Sequence, residues 1–234
     1  MLNSHPLPPR MARKSRQSGL SLVELMVGVA VGLFVVAGAT IAVANQLGDN
    51  RRLMLETQIQ QDLRAAVDVI ARDVRRAGYW GSAESGIWYA GAVAVATNPY
   101  TVVQPSVSGA PASAVTFAYS RSAAENGARD ATDESGFRLN NGAIEMSTGG
   151  GWQALTDSST LRITNFQVTL NSQPVALSCF NPCPGGGTAC LPTQTVRDIT
   201  VDITGQAVHD ATVQRNARST VRVRNDVVNG ACPA

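Results

Sequence analysis

Histidine is almost missing. The 234 residues hold two, and His5 lies in a short basic segment at the start, which leaves His209 alone in the remainder. Catalytic triads with a histidine base and zinc-hydrolase motifs therefore have nothing to build on, and His209 reads as a solvated loop or strand residue. Lysine is scarcer still: Lys14 is the only one, so lysine-based isopeptide crosslinks are excluded beyond that segment. No Gly-Lys-Ser/Thr follows the runs Gly149–Gly151 and Gly185–Gly187, which read as loops rather than phosphate cradles. The adjacent acids Asp133 and Glu134 sit in a polar stretch and read as solvated surface. No catalytic constellation, metal set or cofactor site is left, and the chain is expected to be no enzyme.

What the chain does have is a long apolar tract. From Leu25 to Ala44 there is no charged residue, and about twenty helical residues rise roughly 30 Å, the thickness of a bilayer's hydrocarbon core. One carboxylate, Glu24, stands at its edge, where an ionisable group is costly unless paired and so reads as functional. Arg10, Arg13, Lys14 and Arg16 precede it. The residues up to Gly19 carry those four bases and no acid, so without them the formal charge of +2 becomes −2. That balance argues against broad electrostatic capture of nucleic acid. A secretory signal would place its cut after the apolar run, near Ala37–Ala39, but the helical pattern continues well past that point.

Gly28 and Gly32 are spaced as G-x-x-x-G, which lets a neighbouring helix approach closely. Asn45 to Asn50 form a polar patch of poor helix propensity, where a weak point or bend is expected. Beyond it Ile59, Leu63, Ala66, Val67, Ile70, Val74 and Ala77 recur at three- and four-residue steps, with charges elsewhere on the wheel. This amphipathic helix should pack on a domain and end at Gly78, with Arg75 and Arg76 complementing its last turn. From Ser82 the chain alternates short apolar runs with turn signals. Val115, Phe117 and Tyr119 alternate; Asn141-Gly142 is the best hairpin signal. Leu161 and Ile163 fall out of phase with Phe166, Val168 and Leu170, which implies a bulge near Thr164-Asn165. Ile199, Val201, Ile203, Val221 and Val223 complete an α+β head, one long helix against a mostly antiparallel sheet. Four segments follow: 1–19, a leader; 20–47, a membrane-spanning helix; 48–81, its amphipathic half; and 82–234, a β-rich head.

Cys179, Cys183, Cys190 and Cys232 all lie in the last quarter. An even count in an exported head suggests two disulfides in one of three pairings. The rival is a tetrahedral zinc site, for which the spacing lacks tight paired-cysteine knuckles. Arg215, Arg218, Arg222 and Arg224 form the one basic cluster past the leader, either a local nucleic-acid contact or a polar face opposite Val221 and Val223.

The basic leader ending in Gly19, the apolar Leu20 opening the next segment and Glu24 five residues in resemble the processing site of a type IV prepilin. Asp62 to Gly81, above all Arg75-Arg76-Ala77-Gly78-Tyr79-Trp80-Gly81, resembles the PilW group of minor pilins. The resemblance implies a cut by prepilin peptidase between Gly19 and Leu20 and methylation of the new amine on Leu20. Phenylalanine is usual there, so leucine departs from the pattern. Met11 stands beside Met1 as a candidate start. It further implies that Glu24 meets the amine of an adjacent subunit, and that the segment from Cys179 to Cys232 braces an exposed region. The expected function is assembly or priming of a type IV pilus at or near its tip, with other minor and major pilins, the peptidase and an inner-membrane assembly platform as partners. The protein would sit in the bacterial inner membrane, N-terminus cytoplasmic and head periplasmic, before entering the pilus. Alternatives are a minor pseudopilin of type II secretion and a pilus-displayed adhesin or DNA-binding module.

Overall fold

The computed structural model describes residues 19–86, 96–121 and 125–233. The leader's basic residues, His5 and Met11 lie outside the described residues. A single α-helix, α1 (Leu22–Val74), carries both the apolar tract and the amphipathic stripe. The weak point expected at Asn45–Asn50 does not interrupt it, since helical structure is continuous through those residues. The propensity penalties there are a few tenths of a kcal/mol to about 1 kcal/mol each, too small to break a ladder that long flanks extend on both sides. The chain nevertheless divides at this patch into two compact units, one ending at Asn50 and the other starting at Arg51.

In the first unit the helix is exposed on every side, from Leu22 to Asn50. It is long and apolar enough to cross a membrane. Water tolerates no such all-round apolar surface on an isolated helix, so its solvent is lipid or other helices.

The second unit packs the rest of α1 on two antiparallel sheets. In chain order the strands are β1 (Val103–Gln104), β2 (Pro111–Ala112), β3 (Ala114–Ala118), β4 (Glu134–Asn140), β5 (Ala143–Thr148), β6 (Trp152–Ala154), β7 (Leu161–Ala176), β8 (Thr193–Ala207), β9 (Gln214–Arg222) and β10 (Val227–Asn229). One sheet runs β1-β3-β4-β5-β6. The other runs β10-β8-β7-β2, with β9 also on β8. Ile59, Leu63, Ala66, Val67, Ile70 and Val74 of α1 share one core with Val115, Phe117 and Phe137 of the first sheet and Phe166, Val168, Ile199, Val201, Ile203 and Val221 of the second. Each large side chain so buried contributes about 1.5–3 kcal/mol.

Local chemistry sets the register. Asn141 (φ 50°) and Gly142 (φ 80°) both take positive φ, as a two-residue type I′ hairpin demands, and place Asn140 opposite Ala143. The β7–β8 register shifts between Ile163 and Asn165, and this bulge turns both Ile163 and Phe166 into the core. Gly205 lets the helix close on β8, because a Cβ there would stand 2.7 Å from Leu161 Cδ1 and 3.3 Å from Leu63 Cδ2.

The C-terminal end of α1 is held from several directions. The last turn tightens, with the Arg76 amide donating to the Asp73 carbonyl and the Ala77 amide to the Val74 carbonyl. Gly78 then adopts φ +74° and its amide donates to the Ala118 carbonyl at 2.8 Å. Arg197, only 5 % exposed, donates to the Thr101 carbonyl at 2.5 Å and to the Asn225 carbonyl at 2.9 Å, while Asn225 Nδ2 donates to the Ala77 carbonyl at 3.0 Å. Burial lowers the Arg197 pKa, and the nearby Asp226 charge opposes that shift. One residue departs from its expected place. Asp133 is no solvated acid but 1 % exposed, accepting from the Arg121 amide at 3.1 Å and the Asp130 amide at 2.9 Å. A carboxylate that collects backbone donors can be buried where a free one cannot.

Just past the helix, Trp80, Tyr100 and Ala118 form a second small core, closed by Glu125. Its carboxylate accepts from the Gly81 amide (3.0 Å) and the Gly127 amide (2.8 Å). The Tyr100 hydroxyl lies 2.9 Å from both Glu125 Oε1 and the Ala128 carbonyl, and shares its one proton between them. Desolvation would raise the Glu125 pKa, but hydrogen bonds from Ser120, Gly127, Tyr100 and Gly81 outweigh it and hold it at about 2. Burial, with Glu125 alongside, pushes Tyr100 up to about 12. A depressed carboxylate stabilises the fold above its ordinary value of 4.5 and loses that contribution as pH falls through about 2. In thermal melts of the detergent-solubilised chain, Glu125→Gln should therefore melt below wild type above pH 4.5, and the two should converge as pH falls toward 2. An unchanged gap at low pH would refute this linkage.

Candidate functional site

The residues singled out at the N-terminus sit at the start of α1. Gly19 and Leu20 precede the helix, non-helical and exposed, so the bond between them is open to a peptidase. The first helical hydrogen bond runs from the Leu25 amide to the Ser21 carbonyl at 3.1 Å. Glu24 therefore falls in the first turn, where unpaired amides and the helix dipole favour a negative charge. It too is exposed, with no ion-pair partner among the described residues. Gly28 and Gly32 follow at one-turn spacing, and a Cβ built on either meets nothing within 4 Å. Nothing among the described residues therefore requires glycine at those positions.

This arrangement presents a severable bond, a carboxylate one turn into the helix and a smooth strip below it, all on a helix with no protein around it. Cutting at Gly19 would free an amine on Leu20, close in sequence to a carboxylate whose surroundings are otherwise apolar.

At the other end of the chain the four cysteines form two bridges, Cys179–Cys232 and Cys183–Cys190. With all four sulfurs so engaged no thiolate set remains for zinc. Among the described residues no group of three or more histidine, cysteine, aspartate or glutamate side chains is placed to hold a metal. Gly185, Gly186 and Gly187 each take positive φ inside the smaller ring, a turn only glycine makes freely. Phe180, between the two bridges, is wholly exposed.

The four arginines of the C-terminal cluster do not act together. Arg215 pairs with Glu56 of α1, Arg222 pairs with Asp226 at 2.8 Å, and Arg218 stands opposite Asp202 in the β8–β9 register. Arg218, Arg222 and Arg224 are exposed opposite the buried Val221 and Val223, a polar sheet face balanced by acids. His209 is exposed, as a solvated residue should be.

Residues 52–223 match a family model described as prepilin peptidase-dependent protein B, and residues 14–40 match one described as the prokaryotic N-terminal methylation motif. Neither a curated protein nor a solved structure matches the chain. The second match spans Gly19, Leu20, Glu24, Gly28 and Gly32 together, and the first covers the packed part of α1 from Arg52 and every strand but β10.

Proposed function

This chain belongs to the family of prepilin peptidase-dependent protein B, and on that footing we propose that it is a PilW-like minor pilin that helps assemble or prime a type IV pilus, at or near its tip. The observation that carries the reading is the exposed Gly19-Leu20 bond followed by an all-exposed apolar helix with one carboxylate in its first turn. An anchor alone would need the helix but neither the cut site nor the buried charge it would bring into a bundle.

In this reading the basic leader keeps the N-terminus cytoplasmic by the positive-inside tendency, and the head folds in the periplasm, where its disulfides form. Prepilin peptidase cuts after Gly19 and the new amine of Leu20 is methylated. The freed helix then passes from the inner membrane into the filament, with Gly28 and Gly32 as the strip on which a neighbouring pilin's helix closes. Other minor and major pilins and the assembly platform are its partners. A type II secretion pseudopilin would share every one of these features, and the filament in which the protein is recovered separates the two.

The test is mass spectrometry of the protein purified from peptidase-proficient and peptidase-deficient cells. The expected N-terminus is methylated Leu20 in the first and an uncut leader in the second. An N-terminus near Ala39, or an uncut chain where the peptidase is active, would overturn the reading.

A further inference from the structure

A cleft of about 640 Å³ opens beside the C-terminal end of α1, between Val69 and Arg72 on the helix, Arg76 and Tyr79 just past it, Tyr119 and Arg121 after β3, and Met146 on β5. Val69, Arg72, Arg76 and Tyr79 are all exposed. The guanidiniums of Arg76 and Arg121 stack on the Tyr119 ring, 4.2 and 4.5 Å from its centre, and the Tyr119 hydroxyl donates to Asp73 at 3.1 Å. Arg76 also pairs with Asp73 at 3.5 Å, so those two charges offset each other. Arg121 is held in place by the Thr148 carbonyl at 2.8 Å and by Ser135, both neutral acceptors. Among the described residues neither Arg72 nor Arg121 has a carboxylate within ion-pair distance. Two positive charges, Arg121 held in place and Arg72 exposed, therefore face one cleft, in a chain whose charge without the leader is −2.

Complementing the helix dipole would account for Arg72 and Arg76. It does not account for Arg121, which follows β3 and is not on the helix, nor for its being oriented by two hydrogen bonds and a ring. Oriented guanidiniums are the usual device for gripping carboxylates. The apolar side chains of Val69 and Met146 between them, and a volume far above that of a free carboxylate, fit a segment carrying both acids and apolar side chains.

We propose that this cleft docks an acidic peptide segment of a partner protein, its carboxylates on Arg72 and Arg121 and its apolar side chains on Val69 and Met146. The proposal goes beyond the pilin reading and stands on different residues. Failure here leaves cleavage at Gly19 untouched, and failure there leaves the cleft as it is.

The test is fluorescence anisotropy of the full chain in detergent micelles with a labelled peptide of alternating leucine and glutamate, against the same peptide with glutamine for glutamate. The acidic peptide should bind, weaken steeply with salt, and weaken about tenfold with Arg72→Gln and again with Arg121→Gln. Arg72→Lys should keep much of the affinity. Arg121→Gln removes contacts within the head, so Arg72→Gln, at an exposed residue with no ion pair, is the deciding variant. Equal binding of the two peptides, or an unchanged affinity in Arg72→Gln, overturns the proposal. So does competition by free glutarate as effective as the peptide's own, which would make the cleft a small-anion site.

Discussion

Replacing Glu24 by alanine is expected to leave the protein inserted in the membrane and cut after Gly19, yet absent from sheared filaments. Glu24 is the one ionisable side chain between Leu20 and Ala44. Once neighbouring helices surround that segment it loses water and needs a positive partner, and the amine that cleavage creates on an adjacent subunit's Leu20 is the one available. Removing one member of a buried pair costs about 3–5 kcal/mol, because the other is left charged and unpaired. A loss of that size lowers an association constant by two to three orders of magnitude or more, enough to abolish incorporation. Glu24→Asp keeps the charge on a shorter arm and should be partly impaired. The assay is recovery of the protein in sheared pili with membrane levels measured alongside. Glu24→Ala that co-purifies with filaments like wild type would show that the carboxylate is not the docking group.

Loss of the Cys179–Cys232 bridge is expected to be the costliest change in the head. It closes a span of 53 residues, and cross-linking a loop of that length removes about 4 kcal/mol of freedom from the unfolded chain. The Cys183–Cys190 ring spans 7 residues and is worth about 2 kcal/mol on the same footing. The larger bridge also ties the end of the chain to the segment after β7, so β10, three residues long and paired only with β8, should fray without it. Serine at Cys179 and Cys232 should lower the head's melting temperature more than serine at Cys183 and Cys190. Equal or reversed losses would mean that the C-terminal segment is held by its other contacts, among them the hydrogen bond from Gln194 Nε2 to Asp226 at 2.6 Å.

Much of this architecture was legible wherever a signal is local. The stripe from Ile59 to Ala77, the positive-φ pair Asn141-Gly142 and the phase slip at Thr164-Asn165 each follow from a few consecutive residues. The N-terminal methylation motif around Gly19 and Glu24 was legible for the same reason. What depends on distant residues meeting was not. Three cysteine pairings were open until β10 brought Cys232 to the end of β7. Asp133 read as surface because its donors come from Asp130 and Arg121, set in place by the turn before β4. The clamp of Glu125 on Tyr100 and Gly81, and the stacking of Arg76 and Arg121 on Tyr119, join segments that no periodicity connects. The arginines from 215 to 224 looked like one cluster because they are near in sequence, while Arg215 pairs with Glu56 on α1 and Arg222 with Asp226 in the loop before β10. The short strands β1, β2, β6 and β10 give too few alternations to be read.

The single core has a bearing on the order of synthesis. Ile59 on α1 and Val223, which follows β9, belong to the same cluster, so the helix's inward stripe has no complete cover until Val223 has been made. The helix is made first with its apolar stripe bare, and the β-strands that will hide it follow one by one. Domains so dominated by long-range pairing fold slowly and expose sticky surface meanwhile. Truncation even a little short of Val223 should thus give a sticky, protease-sensitive chain rather than a smaller version of the head.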